Sequence, residues 1–178
     1  ALGGALGLLA GSYVDAQLFG TSSHAEGPRL GDLHVMASSE GAAIPRVYGR
    51  ARIGGQVIWA TDYVEHRRTR SAGGGKGGGS SASVTEYSYS VSFAVALCEG
   101  EVTRIGRVWA NGKPLSLGNL TWRLHRGGET QEADPLIEAM EGAAPAYRGT
   151  AYVVFEDMDV SPFGNRIPQL SFEVFRTL

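Results

Sequence analysis

The sequence predicts a mainly β, β-rich α+β fold: an antiparallel domain with an extended β-arm, one short helix and a glycine-rich N-terminal helix. Three observations carry this. Residues 84–99 alternate between large apolar or aromatic and small or polar side chains, the period of a strand with one buried face. Residues 151–155 form a short, continuous, β-rich apolar run, as in a strand buried on both faces. Turn signals at Gly54-Gly55 and Asn111-Gly112 punctuate further alternating segments.

The 178 residues, 43% of them apolar, suffice for one ordinary domain or two small ones. The formal net charge of −2 lacks the basic excess of a nucleic-acid surface. The 26 glycines cluster at 1–20 and 73–79, so they mark organisation rather than general disorder. The single cysteine, Cys98, excludes an intrachain disulfide and lies in an apolar strand-like run, where a buried structural thiol is expected.

Residues 1–20 place Gly3, Gly7 and Gly11 four apart, so a helix there would present one smooth face. Two readings stay open: a helix packed against symmetry mates or lining a channel, or a weak helix docked on its own domain or left from a hydrophobic leader. The apolar run ends near Ala10, short of a membrane span. Residues 21–38 read as linker, where His24 and His34 lack a third metal ligand.

Residues 46–53, Gly54-Gly55 and residues 56–64 read as a hairpin. Val47, Gly49, Ala51 and Ile53 share one face of its first strand; Arg46, Tyr48, Arg50 and Arg52 share the other, either solvated or set against an acidic partner. Residues 68–83 form a glycine-rich tip. Its Lys76 precedes Gly77 rather than a Ser or Thr opening a helix, which excludes a phosphate-binding loop. Across this tip, 56–67 and 84–99 pair as the arm. Residues 103–110, the Asn111-Gly112 turn and 120–125 add a second hairpin and a short strand. Asp134 as N-cap, Pro135 in the first turn and Gly142 at the end bound a helix with Leu136, Ile137 and Met140 on its apolar side. After 151–155 come Pro162 and Pro168 in an ordered loop, then an alternating strand at 170–175.

Catalytic and metal motifs are lacking. Glu156, Asp157 and Asp159 do not complete a calcium loop, and no nucleophile elbow or zinc-protease helix motif occurs. The reading is therefore no enzyme, no cofactor and no metal site.

An ordered set of motifs resembles the N-terminal hub region of phage tail-tip proteins, most of all the large host-specificity ("megatron") tail protein of gene transfer agents. The set comprises Ser39-Glu-Gly-Ala-Ala-Ile-Pro45-Arg-Val-Tyr-Gly-Arg50, Gly54-Gly-Gln-Val-Ile-Trp59, Tyr87-Ser-Tyr89 leading to Cys98-Glu-Gly-Glu101, and Ile105-Gly-Arg-Val-Trp-Ala-Asn-Gly-Lys-Pro114. It continues with Glu129-Thr-Gln-Glu-Ala-Asp-Pro135, Ala146-Tyr-Arg-Gly-Thr-Ala-Tyr-Val-Val-Phe155, Phe163-Gly-Asn-Arg-Ile-Pro168 and Phe172-Glu-Val174. The resemblance spans about 39–176. It implies a structural hub domain over 39–178, a piece of a longer chain, at the tail tip of a virion or phage-like particle. The implied partners are a homotrimer mate, the distal tail protein, other hub proteins, the tape-measure protein and, through the rest of the chain, the host envelope. No specific nucleic-acid recognition is implied. Candidate interface residues are Arg46, Tyr48, Arg50, Trp59, Lys76, Trp109, Phe163, Asn165 and Arg166. The rival readings are a carbohydrate-binding β-domain built on Trp59, Trp109 or Trp122, and a cell-wall hydrolase.

Overall fold

The computed structural model describes residues 24–26, 43–72 and 82–177. The helix expected over 1–20, most of the linker over 21–38, and the middle of the tip with Lys76 lie outside the described residues. The mainly β expectation holds. Among the described residues the strands are β1 (His24–Glu26), β2 (Gly49–Gly54), β3 (Gln56–Ala60), β4 (Val64–Ala72), β5 (Ala82–Glu99), β6 (Arg104–Ala110), β7 (Lys113–Leu115), β8 (Thr121–His125), β9 (Thr150–Asp159) and β10 (Leu170–Arg176). The helix α1 spans Pro135–Glu141.

The chain divides into two compact units. In the smaller, β1 pairs in parallel with β5 at Ser83, Val84 and Thr85, so a strand forms within the stretch read as linker. Thr69 and Thr85 share a hydroxyl hydrogen bond of 3.2 Å, and Arg70 lies 3.6 Å from Glu86.

The larger unit is layered. In one sheet β5 pairs antiparallel with β3 and with β9, and β8 adds outside β9. In the other, the order is β2-β10-β6-β7, all antiparallel. The alternation in β5 does not mean a solvated face here. Ala94 and Ala96 are as buried as Phe93, Val95 and Leu97. The alanines are small because α1 covers their side: Ala94, Ile137, Tyr152 and Val154 form one cluster, joined by Trp59, Leu136 and Tyr147. Phe93 stacks on its register partner Phe155 at 5.2 Å. Residues 151–155 are buried throughout, as a continuous apolar run requires.

The hairpin expected around Gly54-Gly55 does not form. β2 pairs with β10 and β3 with β5, so the chain crosses between sheets at Gly55. A Cβ on Gly55 would lie 2.3 Å from Val95 Cγ1 and 2.9 Å from Phe172 Cε2, so only glycine fits where side chains of the two sheets meet. The Gly55 N–H donates to the Leu170 carbonyl at 2.9 Å, a bond to the strand beside β2 rather than a turn bond.

Local signals fare better. β6 and β7 form a two-residue hairpin with Asn111 at φ 49° and Gly112 at φ 80°, the left-handed pair of a type I′ turn. The Asp134 carboxylate accepts from the N–H groups of Leu136 and Ile137, and Gly142 closes α1 in the left-handed conformation. Ile137 is buried and Leu136 half-buried, but Met140, expected on the apolar side, is 59% exposed. The last turn of the helix, residues 138–141, is exposed throughout, so Met140 lies beyond the part of α1 that packs on the sheet. Cys98 is fully buried, and that burial pushes its thiol pKa up.

Candidate functional site

Strand alternation sorts the β2-β10-β6 residues onto two faces. Val47, Val108, Phe172 and Val174 turn into the core. The partner face takes Arg50 and Arg52 from β2, Ser171, Glu173 and Phe175 from β10, and Arg104, Arg107 and Trp109 from β6. Their register makes them cross-strand neighbours: Arg50 opposes Phe175, Arg52 opposes Glu173, and Ser171 opposes Trp109.

The face is an arginine–aromatic layer. The Arg52 guanidinium lies 4.0 Å from the Trp109 ring centroid and Arg107 lies 5.5 Å from it. Arg104 sits 3.5 Å and Arg50 5.4 Å from the Phe175 centroid. At the end of the face Tyr48, 65% exposed, has Arg46 at 5.9 Å and Arg176 at 5.7 Å. Each such contact at an exposed site is worth about 0.5–1 kcal/mol. Their main effect is to hold long side chains in fixed places.

Glu173 organises the middle. Its carboxylate accepts from the Arg107 backbone N–H at 3.1 Å and from Arg50 Nε at 2.8 Å, with Arg50 Nη2 closer still. The Arg107 guanidinium stands 3.6 Å away. Donation from the Arg107 backbone, then from Arg50, holds this carboxyl down at about 2. A register shift between Phe172 and Val174 brings β6 into place there. Gly106 makes the room, since a Cβ would meet Glu173 Oε2 at 2.4 Å and Phe175 Cε2 at 2.8 Å.

The structure brings Arg46, Tyr48, Arg50 and Trp109 together on and beside this face. It does not bring the other candidates there. Trp59 lies on β3 and donates its indole N–H to Glu141 of α1 at 2.9 Å, so it ties helix to sheet. Phe163, Asn165 and Arg166 follow β9 in a 3-10 turn, where Gly164 and Asn165 are left-handed at φ 74° and 58°. Sequence reasoning missed Arg104, Arg107, Glu173 and Phe175. Their alternation was visible, but the register that puts them beside β2 was not. The sugar-platform reading of Trp109 meets an obstacle, because Arg52 occupies a place where a sugar ring would stack.

Two polar clusters lie elsewhere. Asp134, fully buried, accepts from Arg123 Nε at 2.8 Å and Nη2 at 3.1 Å, and lies 2.8 Å from His125 Nε2. Burial alone would raise its pKa, but the hydrogen bonds from Arg123 and His125 outweigh it and hold the carboxyl at about 2. Arg123 also bonds Glu156 at 2.7 Å, and the His125 ring stacks on Tyr152 at 4.3 Å. The second cluster is His66, Ser90 and Asp157. The Ser90 hydroxyl donates to Asp157 and sits 2.7 Å from His66 Nε2. A hydrolytic triad instead has histidine between the other two, so that the base can take the hydroxyl proton. Among the described residues no group of three or more His, Cys, Asp or Glu side chains is placed to hold a metal ion.

No protein-family model matches the sequence, and no curated protein matches it. Among solved structures the chain is similar to one chain in the virion of a native gene transfer agent particle. The two are 42% identical, with a TM-score of 0.63, over 99% of this chain and 39% of that one. The chain thus spans about two-fifths of the length of the protein it matches.

Proposed function

We propose that this chain is a structural component of a gene-transfer-agent or phage-like virion, built into the tail tip as part of the baseplate hub. There it joins the distal tail to the receptor-binding and penetrating parts and forms part of the DNA exit channel. The observation that carries the coarser reading, a virion structural protein, is the 42% identity to a chain of a gene transfer agent virion along 99% of this sequence. The tail-tip position rests on the motif set along 39–176.

The physical character of the molecule supports an interfacial role. Its most distinctive exposed feature is a sheet face of arginines held over aromatic rings, and arginine and aromatic residues are those enriched where proteins dock. On this reading the role is not catalytic. The chain acts as a trimer around the channel, against the distal tail protein, other hub proteins and the tape-measure protein. Further parts of the longer protein meet the host envelope.

Quantitative mass spectrometry of purified particles tests this. The expected result is about three copies per particle, as for a ring of three-fold symmetry. Absence of the protein from particles would overturn the reading.

A further inference from the structure

At one end of the arginine–aromatic face the surface dips into a pocket of about 330 Å³, lined by Arg52, Gly54, Gly112, Gln169 and Ser171 and floored by Ile53 and Leu170. Its walls are fixed. The Arg52 guanidinium lies over Trp109 at 4.0 Å, and its Nε donates to Ser171 Oγ at 3.1 Å. The Asn111-Gly112 turn is tied to Gln169 twice: Asn111 N–H to the Gln169 carbonyl at 2.8 Å, and Gln169 N–H to Asn111 Oδ1 at 2.9 Å. Gly54 has open space where a Cβ would stand.

We propose that this pocket is a carboxylate socket that takes an Asp or Glu side chain from an acidic segment of a neighbouring protein. The inference rests on the reading of the chain as a docked structural part. Three observations point to a carboxylate. The face carries four arginines, Arg50, Arg52, Arg104 and Arg107, against the single carboxylate Glu173. Glu173 engages Arg50 and Arg107, whereas Arg52 and Arg104 make no ion pair among the described residues. The free end of Arg52 is a planar fork suited to a carboxylate, held in place by its stacking on Trp109. The Ser171 hydroxyl stands beside it as a further polar group, and Gln169 lines the same pocket. A phosphate backbone fits less well. Glu173, opposite Arg52, interrupts the row of arginines that a run of successive phosphates would need, whereas one carboxylate needs only the Arg52 fork.

The test is fluorescence anisotropy of the purified protein with fluorescein-labelled octaglutamate, with octaglutamine and a single-stranded oligothymidylate of matching charge as alternatives. Octaglutamate is expected to bind saturably, octaglutamine not at all, and the oligothymidylate more weakly than octaglutamate. Arg52→Ala is expected to weaken octaglutamate binding about tenfold, the loss of one charge-assisted hydrogen-bonded pair. Gly54→Leu, which fills the pocket from outside the core, should do the same with unchanged thermal melting. Arg148→Ala, in the turn before β9, should leave binding unaltered. The inference is overturned if octaglutamate does not bind, if the Arg52, Gly54 and Arg148 variants behave alike, or if the oligothymidylate is preferred. Particle mass spectrometry separates this from the hub reading. A protein present in particles that ignores octaglutamate loses only the socket, and one absent from particles that binds it loses only the hub.

Discussion

Replacing Asp134 should cost this domain more than any other single charge. The carboxylate caps α1 through the N–H groups of Leu136 and Ile137 and also accepts from Arg123 and His125, all with no exposure to water. Breaking a buried pair by removing one partner costs about 3–5 kcal/mol. Arg123 keeps Glu156 and is 32% exposed, so the loss for Asp134→Ala belongs at the low end, about 3 kcal/mol. For a chain of this size that lowers Tm by roughly 6–12 °C. Asp134→Asn keeps an acceptor for the cap and loses the charge. Its deficit at neutral pH follows from the native carboxyl titrating at about 2 rather than 3.8, which is worth roughly 2 kcal/mol. Because the folded pKa is the lower one, the unfolded chain binds more protons between these values, and stability rises with pH through that window. The contribution is complete above about pH 4 and disappears as pH falls through about 2. Thermal unfolding by circular dichroism should therefore show wild type and Asp134→Asn well separated at neutral pH and converging in acid. A variant as stable as wild type at neutral pH, or a gap that persists undiminished at low pH, would refute the argument.

Gly55→Ala should lower stability by about 1–3 kcal/mol, read as a lower denaturant midpoint at unchanged slope, because its Cβ must displace Val95 and Phe172. Cys98 should resist a thiol reagent in the native protein and react fully once unfolded, since it is inaccessible and its thiolate disfavoured. Met140→Lys should change stability by no more than about 0.5 kcal/mol in thermal melts, in keeping with its 59% exposure.

What was legible in the sequence was the chemistry completed within a few residues. The Asn111-Gly112 turn demands two left-handed residues, and those residues supply them at little cost. Asp134, Pro135 and Gly142 satisfy both ends of a helix from inside its own segment. Residues 151–155 declare two buried faces because no polar side chain interrupts them. Gly54-Gly55 shows where such reasoning stops. A glycine pair between two strand-like runs looks the same whether it turns the chain back or lets it pass between two sheets. The deciding fact is the proximity of Val95 and Phe172, forty and more than a hundred residues away.

The candidate site has the same division. The arginine stripe of β2 could be read from its alternation, which on its own favours a solvated face over a docking face. What the stripe alone does not show is the part played by β10 and β6, which arrive from distant parts of the chain and place Phe175, Trp109 and Glu173 beneath or beside the guanidiniums. A merely solvated face has no need to fix its arginines, whose rotamer freedom favours leaving them loose. Here stacking and a shared carboxylate have already restricted them, so a partner meeting this face loses less entropy in ordering them. Gly106 supports the same view. Its missing side chain leaves the centre of an exposed sheet face open, and that opening is filled by the carboxylate and the ring that hold the arginines in place.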